Sequence, residues 1–140
     1  MSNTLVDVLP DLKAWLQSLN TLAGTRVFFR LPEKPSAAPF MRISRSGGAV
    51  LPDSEVPLSV IRVTIEAWGM ANSDYDKVRQ TVNAVEQAFH NIGFSPTPVG
   101  SGASTILWAE VDSIVDMPDP DMGWPRIVLL GRLGYKATAG

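Results

Sequence analysis

A strict alternation that runs straight into a helical stripe constrains this chain more than any other stretch. Ile61, Val63, Ile65 and Ala67 fall on one side and Arg62, Thr64, Glu66 and Trp68 on the other, the period-two mark of a strand with one buried face. Val78, Val82, Val85, Phe89 and Ile92 then recur at spacings of four and three, drawing one apolar stripe down a helix. The pattern predicts a strand over Leu58–Trp68 and a helix over Asp74–Ile92, joined by residues 69–73. Ser73 suits the N-cap, Asp76 the capping-box position and Asp74 the positive helix end, while Gly93 stops the helix. Two elements with one apolar side each must share a core.

The flanking sequence supplies the rest of a single domain over residues 1–140. Leu5, Val8, Leu9, Leu12, Leu16 and Leu19 form a second helical stripe with Trp15 at its margin, placing a helix at about Val8 to Leu19. Pro10 fits only in its first turn, with Asp7 as the cap and Asn20 and Gly24 closing the segment. Arg26–Leu31, rich in β-branched and aromatic residues, reads as a strand stopped by Pro32, and Glu33–Pro39 as a loop. Phe40–Arg45 reads as the next strand, ended by Gly47 and Gly48. Ala49–Pro57 reads as a mobile loop and Phe94–Gly102 as an irregular stretch. Strands follow over Thr105–Val115 and Ile127–Lys136, around a connection over Asp116–Pro125. The second of these is apolar on both faces at its start, as suits a central strand or one that meets another subunit. The order is helix, three strands, helix, two strands. The expected fold is α+β, a mainly antiparallel twisted sheet of about five strands with both helices on one face.

Composition narrows what such a domain can do. With 140 residues, 45% of them hydrophobic and 19% charged, the chain can bury a core of its own. Cysteine is absent, which removes disulfides and thiolate metal sites. A formal net charge of −2 argues against a strongly basic nucleic-acid-binding face. No stretch has the length or apolar character of a membrane span or a targeting signal, so a soluble, non-secreted protein is expected.

The constellations that could carry chemistry are weak. Gly100-Ser-Gly102 resembles a phosphate loop, but strand-forming residues follow where a helix should start. Asp112, Asp116, Asp119 and Asp121 match no calcium-loop spacing, and Pro118 and Pro120 stiffen the run. His90, the single histidine, lies off the apolar stripe of its helix and has no nucleophile motif to serve. No cofactor or metal is expected, so a chelator should leave folding unchanged. Trp68 and Trp108 share their faces with Glu66 and Glu110, which favours burial at a core or subunit contact over base stacking.

Several short motifs together resemble the tail terminator, or tail completion, proteins of long-tailed bacteriophages, over nearly the whole chain. They are Leu9-Pro-Asp-Leu-Lys-Ala-Trp15, Thr25-Arg-Val-Phe28, Pro39-Phe-Met-Arg-Ile43, Val63-Thr-Ile-Glu-Ala-Trp-Gly69 with the helix from Tyr75, and Pro118-Asp-Pro-Asp-Met-Gly-Trp-Pro-Arg126. The resemblance implies a small protomer without enzymatic activity that assembles into a hexameric ring on the head-proximal end of the tail, after time in the host cytoplasm. Its implied partners are further copies of itself, the tail tube protein and a head-completion or neck protein. DNA would pass through the lumen without sequence-specific binding, and no membrane is involved. Another neck or connector protein, or a ligand-binding or enzymatic α+β domain, would fit the same elements. A ring needs two different complementary patches on each protomer. The residues expected to serve are Arg62, Glu66 and Trp68 on the polar strand face, with Asp119, Asp121, Trp124 and Arg126 in the late turn. On this reading Trp68→Ala and Trp124→Ala leave the protomer folded and weaken the ring.

Overall fold

The leading helix forms as α1 (Leu9–Ser18) in a computed structural model that describes residues 8–51, 58–99 and 104–137. Pro10 sits in the first turn, where a backbone N–H would have had no helical partner. Leu12 and Leu16 are fully buried, and Trp15 and Leu19 pack at the margin. Asn20, with a φ of 56°, takes the left-handed conformation that ends the helix. Asp7 lies outside the described residues, and Val8 holds the cap position without a side-chain hydrogen bond.

Six strands follow: β1 (Val27–Phe28), β2 (Phe40–Leu51), β3 (Leu58–Trp68), β4 (Thr97–Val99), β5 (Ser104–Asp116) and β6 (Arg126–Ala137). A 3-10 turn (Asn72–Asp74) and helix α2 (Tyr75–Ile92) lie between β3 and β4. The sheet order is β1-β2-β3-β6-β5-β4, with β1 and β2 parallel and the other neighbours antiparallel. β6 is therefore central, which explains its two apolar faces.

The expected five strands become six, and four local readings change. β1 ends at Phe28 instead of Leu31, leaving Phe29 and Leu31 exposed. Gly47 does not end β2; the register shifts between Arg45 and Gly47, a bulge that takes up an extra residue before pairing resumes to Leu51. Residues 49–51, read as loop, are thus strand, while 52–57 lie outside the described residues. Thr97–Val99 pairs with β5 inside the stretch read as irregular; Pro98 is tolerated because β4 is an edge strand. Residues 100–103, with Gly100-Ser-Gly102, lie outside the described residues. At the start of α2 neither Ser73 nor Asp76 caps. The Asp74 carboxylate accepts the N–H groups of Met70 at 2.9 Å and Ala71 at 3.2 Å, because the 3-10 turn moves the capping geometry.

Both helices cover one face of the sheet. Met41, Ile43, Ile61, Val63, Ile65, Ala67, Leu129 and Leu133 point into a core shared with Leu12 and Leu16 of α1 and with Val78, Val82, Val85 and Phe89 of α2. Burying one such side chain contributes about 1.5–3 kcal/mol. The Trp15 and Phe89 rings lie 6.0 Å apart, joining the two helices above the sheet. Beneath Phe89 the strand carries Gly131, where a Cβ would lie 2.9 Å from Phe89 Cε2 and 3.0 Å from the Glu110 carbonyl oxygen. Gly131→Ala is expected to cost about 1–3 kcal/mol by overpacking, read as a lower urea midpoint with an unchanged slope.

Candidate functional site

Alternation along the strands builds the face that no helix covers. Cross-strand register aligns Phe40, Trp68 and Arg126 in one row and Arg42, Glu66 and Val128 in the next. Thr64 lies opposite Leu130, and Arg62 opposite Arg132. The first two rows form a compact cluster. Phe40 stacks on Trp68 with centroids 6.2 Å apart and planes 3° from parallel, and Phe28 meets the edge of Phe40 at 6.3 Å. The Arg126 guanidinium lies 4.9 Å over the indole, a cation–π contact. Glu66 is held between two guanidiniums: Arg42 Nε is in contact with Oε2, as a charge pair with the N–H turned off the oxygen, and Arg126 Nη1 lies 3.5 Å from Oε1. Trp68 Nε1 has no acceptor among the described residues, so the ring is held through its faces.

This cluster closes the Trp68 end of the polar face of β3 and leaves the Arg62 end open. Trp68 is 2% and Glu66 5% exposed within the protomer, because β1, β2 and Arg126 close over them. Arg62 is exposed. Arg126, expected in the late turn, begins β6 instead, packs on Trp68, and its Nε donates to the Met117 carbonyl at 2.8 Å.

The turn before β6 is organised by Asp119. Its carboxylate accepts the Met122 N–H at 2.7 Å, its own N–H donates to the Trp124 carbonyl at 3.0 Å, and its carbonyl accepts the Gly123 N–H at 2.9 Å. Gly123 has a φ of 67°, a conformation that disfavours a side chain. Gly69 N–H donates to the Pro125 carbonyl at 2.9 Å, tying the turn to the end of β3. A Cβ on Gly69 would lie 2.7 Å from Asp74 Cβ and 2.9 Å from Pro125 Cγ, so only glycine fits. Trp124 is half-buried and Asp121 exposed.

The acidic run serves as separate structural contacts. Asp112 and Glu110 accept from Arg132 at 3.0 and 2.9 Å, which offsets the facing Arg62. Asp116 accepts the Tyr75 hydroxyl at 2.7 Å. No group of three or more potential ligands gathers among the described residues. The hydrogen bond to Asp116, then its charge, raises the Tyr75 pKa above the ordinary 10.0. Neutral tyrosine is thus favoured by the fold; this stability is fully present below the unfolded pKa and is lost as pH climbs through the raised one. Ultraviolet titration should show one tyrosine ionising late, and Tyr75→Phe should remove that step and flatten the fall of stability above pH about 10.

His90 is exposed at the lip of an open cleft of about 730 Å³ between the end of α2 and β5, with Glu86 and Glu110 beside it. The surfaces that stand out are apolar. Ile114, Val115, Met117, Met122 and Leu130 are exposed around the free end of the β5–β6 pair, and Phe94, directly after the helix-ending Gly93, is 80% exposed. Of these, only the second apolar face at the start of β6, which carries Leu130, was singled out from sequence. Phe94 falls on no periodic face, and that isolation is the one signal that could have marked it.

The model of a family described as "Tail completion protein gp17" matches residues 11–133. The fold is similar to a chain in a solved structure described as "Virion of native gene transfer agent (GTA) particle", with a TM-score of 0.68 and 15% identity, covering 93% of this chain and 98% of that one. No curated protein matches the sequence.

Proposed function

The chain belongs to the tail completion protein gp17 family, a phage tail structural family, and on that premise we propose that it forms a hexameric ring capping the head-proximal end of a phage tail tube. In this role it stops tube polymerisation and presents the surface to which a head-completion or neck protein joins the tail. DNA passes through the lumen without base-specific contacts. The observation that carries the reading is the family match over residues 11–133. The virion chain of like fold supports a place in the particle. The exposed apolar strip at the end of β5 and β6, with Met117 and Met122 on the turn, supplies a surface that protein partners would cover. Arg62, Asp121 and Trp124 keep their proposed part in contacts between protomers, and Arg126, Asp119, Glu66 and Trp68 shape that surface from below.

Mass photometry of the purified protein, alone and with tube protein, tests this. The expected species has six times the 15.1 kDa mass of the chain, and negative-stain images should show an axial hole. In infected cells lacking the protein, overlong tubes and unjoined heads should accumulate. Tails of normal length joined to heads without it would refute the assignment.

A further inference from the structure

Two features at opposite lateral edges of the sheet fit each other. Beyond β5, the 80% exposed Phe94 stands at the rim of the cleft that carries Glu86 and Glu110. Beyond β2, a pocket of about 310 Å³ is bounded by Leu9, Pro10, Phe29 and Ile43, with Arg45 at its wall and the Lys13 ammonium 5.0 Å over the Phe29 ring. One edge offers an aromatic knob beside the Glu86 carboxylate, and the other an apolar hole beside the Lys13 ammonium. Register puts them near the same height. Ala109, in the cleft, pairs with Leu133 and through it aligns with Ile61; Ser44, in the pocket, aligns with Thr64. The offset along β3 is thus about 10 Å at the usual rise per residue.

We propose that Phe94 of one protomer seats in the α1–β2 pocket of a second copy, with Glu86 facing the neighbour's Lys13. A knob and a hole on opposite edges make a heterologous contact, which repeats from copy to copy and can close into a ring. The occupant is a second copy because the complementary charge and the matching cavity are found on this same chain. An aromatic anchor in a pocket rimmed by opposite charges is the usual form of a binding hot spot. This inference rests on the ring reading above and names the surfaces that would build it.

The chain has no cysteine, so paired substitutions report the contact directly. Phe94→Cys combined with Phe29→Cys, both at exposed sites, is oxidised with diamide and run on a non-reducing gel, with circular dichroism confirming the fold. A ladder of covalent oligomers is expected. The control pair Phe94→Cys with Leu22→Cys, another exposed site, should stop at dimers. In otherwise unmodified protein, Glu86→Lys and Lys13→Glu should each raise the dissociation constant about tenfold, and together should restore it. Hexamers of unmodified protein without the ladder would overturn this contact and leave the ring reading standing, as would cross-linking of Phe94→Cys to tube protein instead. A disulfide closed within one chain would also overturn it. An unmodified protein that is monomeric both alone and with tube protein, with no ladder, would remove both. A ladder of open chains that never closes would support the contact and remove the ring.

Discussion

Phe89→Ala is expected to lower the unfolding free energy by about 3–5 kcal/mol, the usual cost of emptying a buried aromatic site. Phe89 is 1% exposed, meets Trp15 of the other helix and covers Gly131 of the central strand. Its removal therefore opens a cavity where both helices and the sheet converge. The backbone beneath cannot move up to fill it, because Gly131 is held between β3 and β5 by the central position of β6. In a domain of this size the loss corresponds to roughly 10 °C or more of melting temperature. Denaturation in urea would measure it; a change under 1 kcal/mol would mean that α2 packs on a different face.

Trp68→Ala should be almost as damaging, and to the protomer rather than only to an assembly. The indole is enclosed by Phe40 on one side and the Arg126 guanidinium on the other. Truncation removes the buried ring, worth about 3–5 kcal/mol in comparable sites, and loosens Arg126, which also faces Glu66. Trp68→Phe keeps an aromatic face for both partners and should recover more than half of the loss. Urea midpoints of the two variants decide the matter. If Trp68→Ala keeps wild-type stability while losing only its oligomeric state, the ring is not part of the protomer's packing and the interface expectation made from sequence stands as first drawn.

The β3–α2 unit was legible because each element has a single period and one solvent. β3 spans the expected Leu58–Trp68, and the α2 stripe is buried from Val78 to Ile92. Errors arose where a residue has more than one physical use. Gly47 can end a strand or form a bulge, and the pairing with Arg62 across the ladder selects the bulge. Pro98 reads as a breaker, yet costs a strand nothing when its missing N–H would face outward. Ser73 is as good a cap as Asp74 on paper, and only the 3-10 turn picks the latter.

The candidate site divides in the same way. Sequence by itself determined that β3 has a second face and that Arg62, Glu66 and Trp68 share it, since alternation is a property of the backbone. It also determined that no disulfide could be present and that the core had to suffice. Only the tertiary structure decided what lies over that face. Phe40, Arg42 and Arg126 come from strands 24 or more residues away from Trp68 or Glu66 in sequence on one side and 58 or more on the other, and they meet only through the register of β2, β3 and β6. The same holds for Phe94 and the α1–β2 pocket, whose places on opposite edges follow from the strand order. Periodicity records which way a side chain points; what it meets there depends on long-range pairing, which no local pattern encodes.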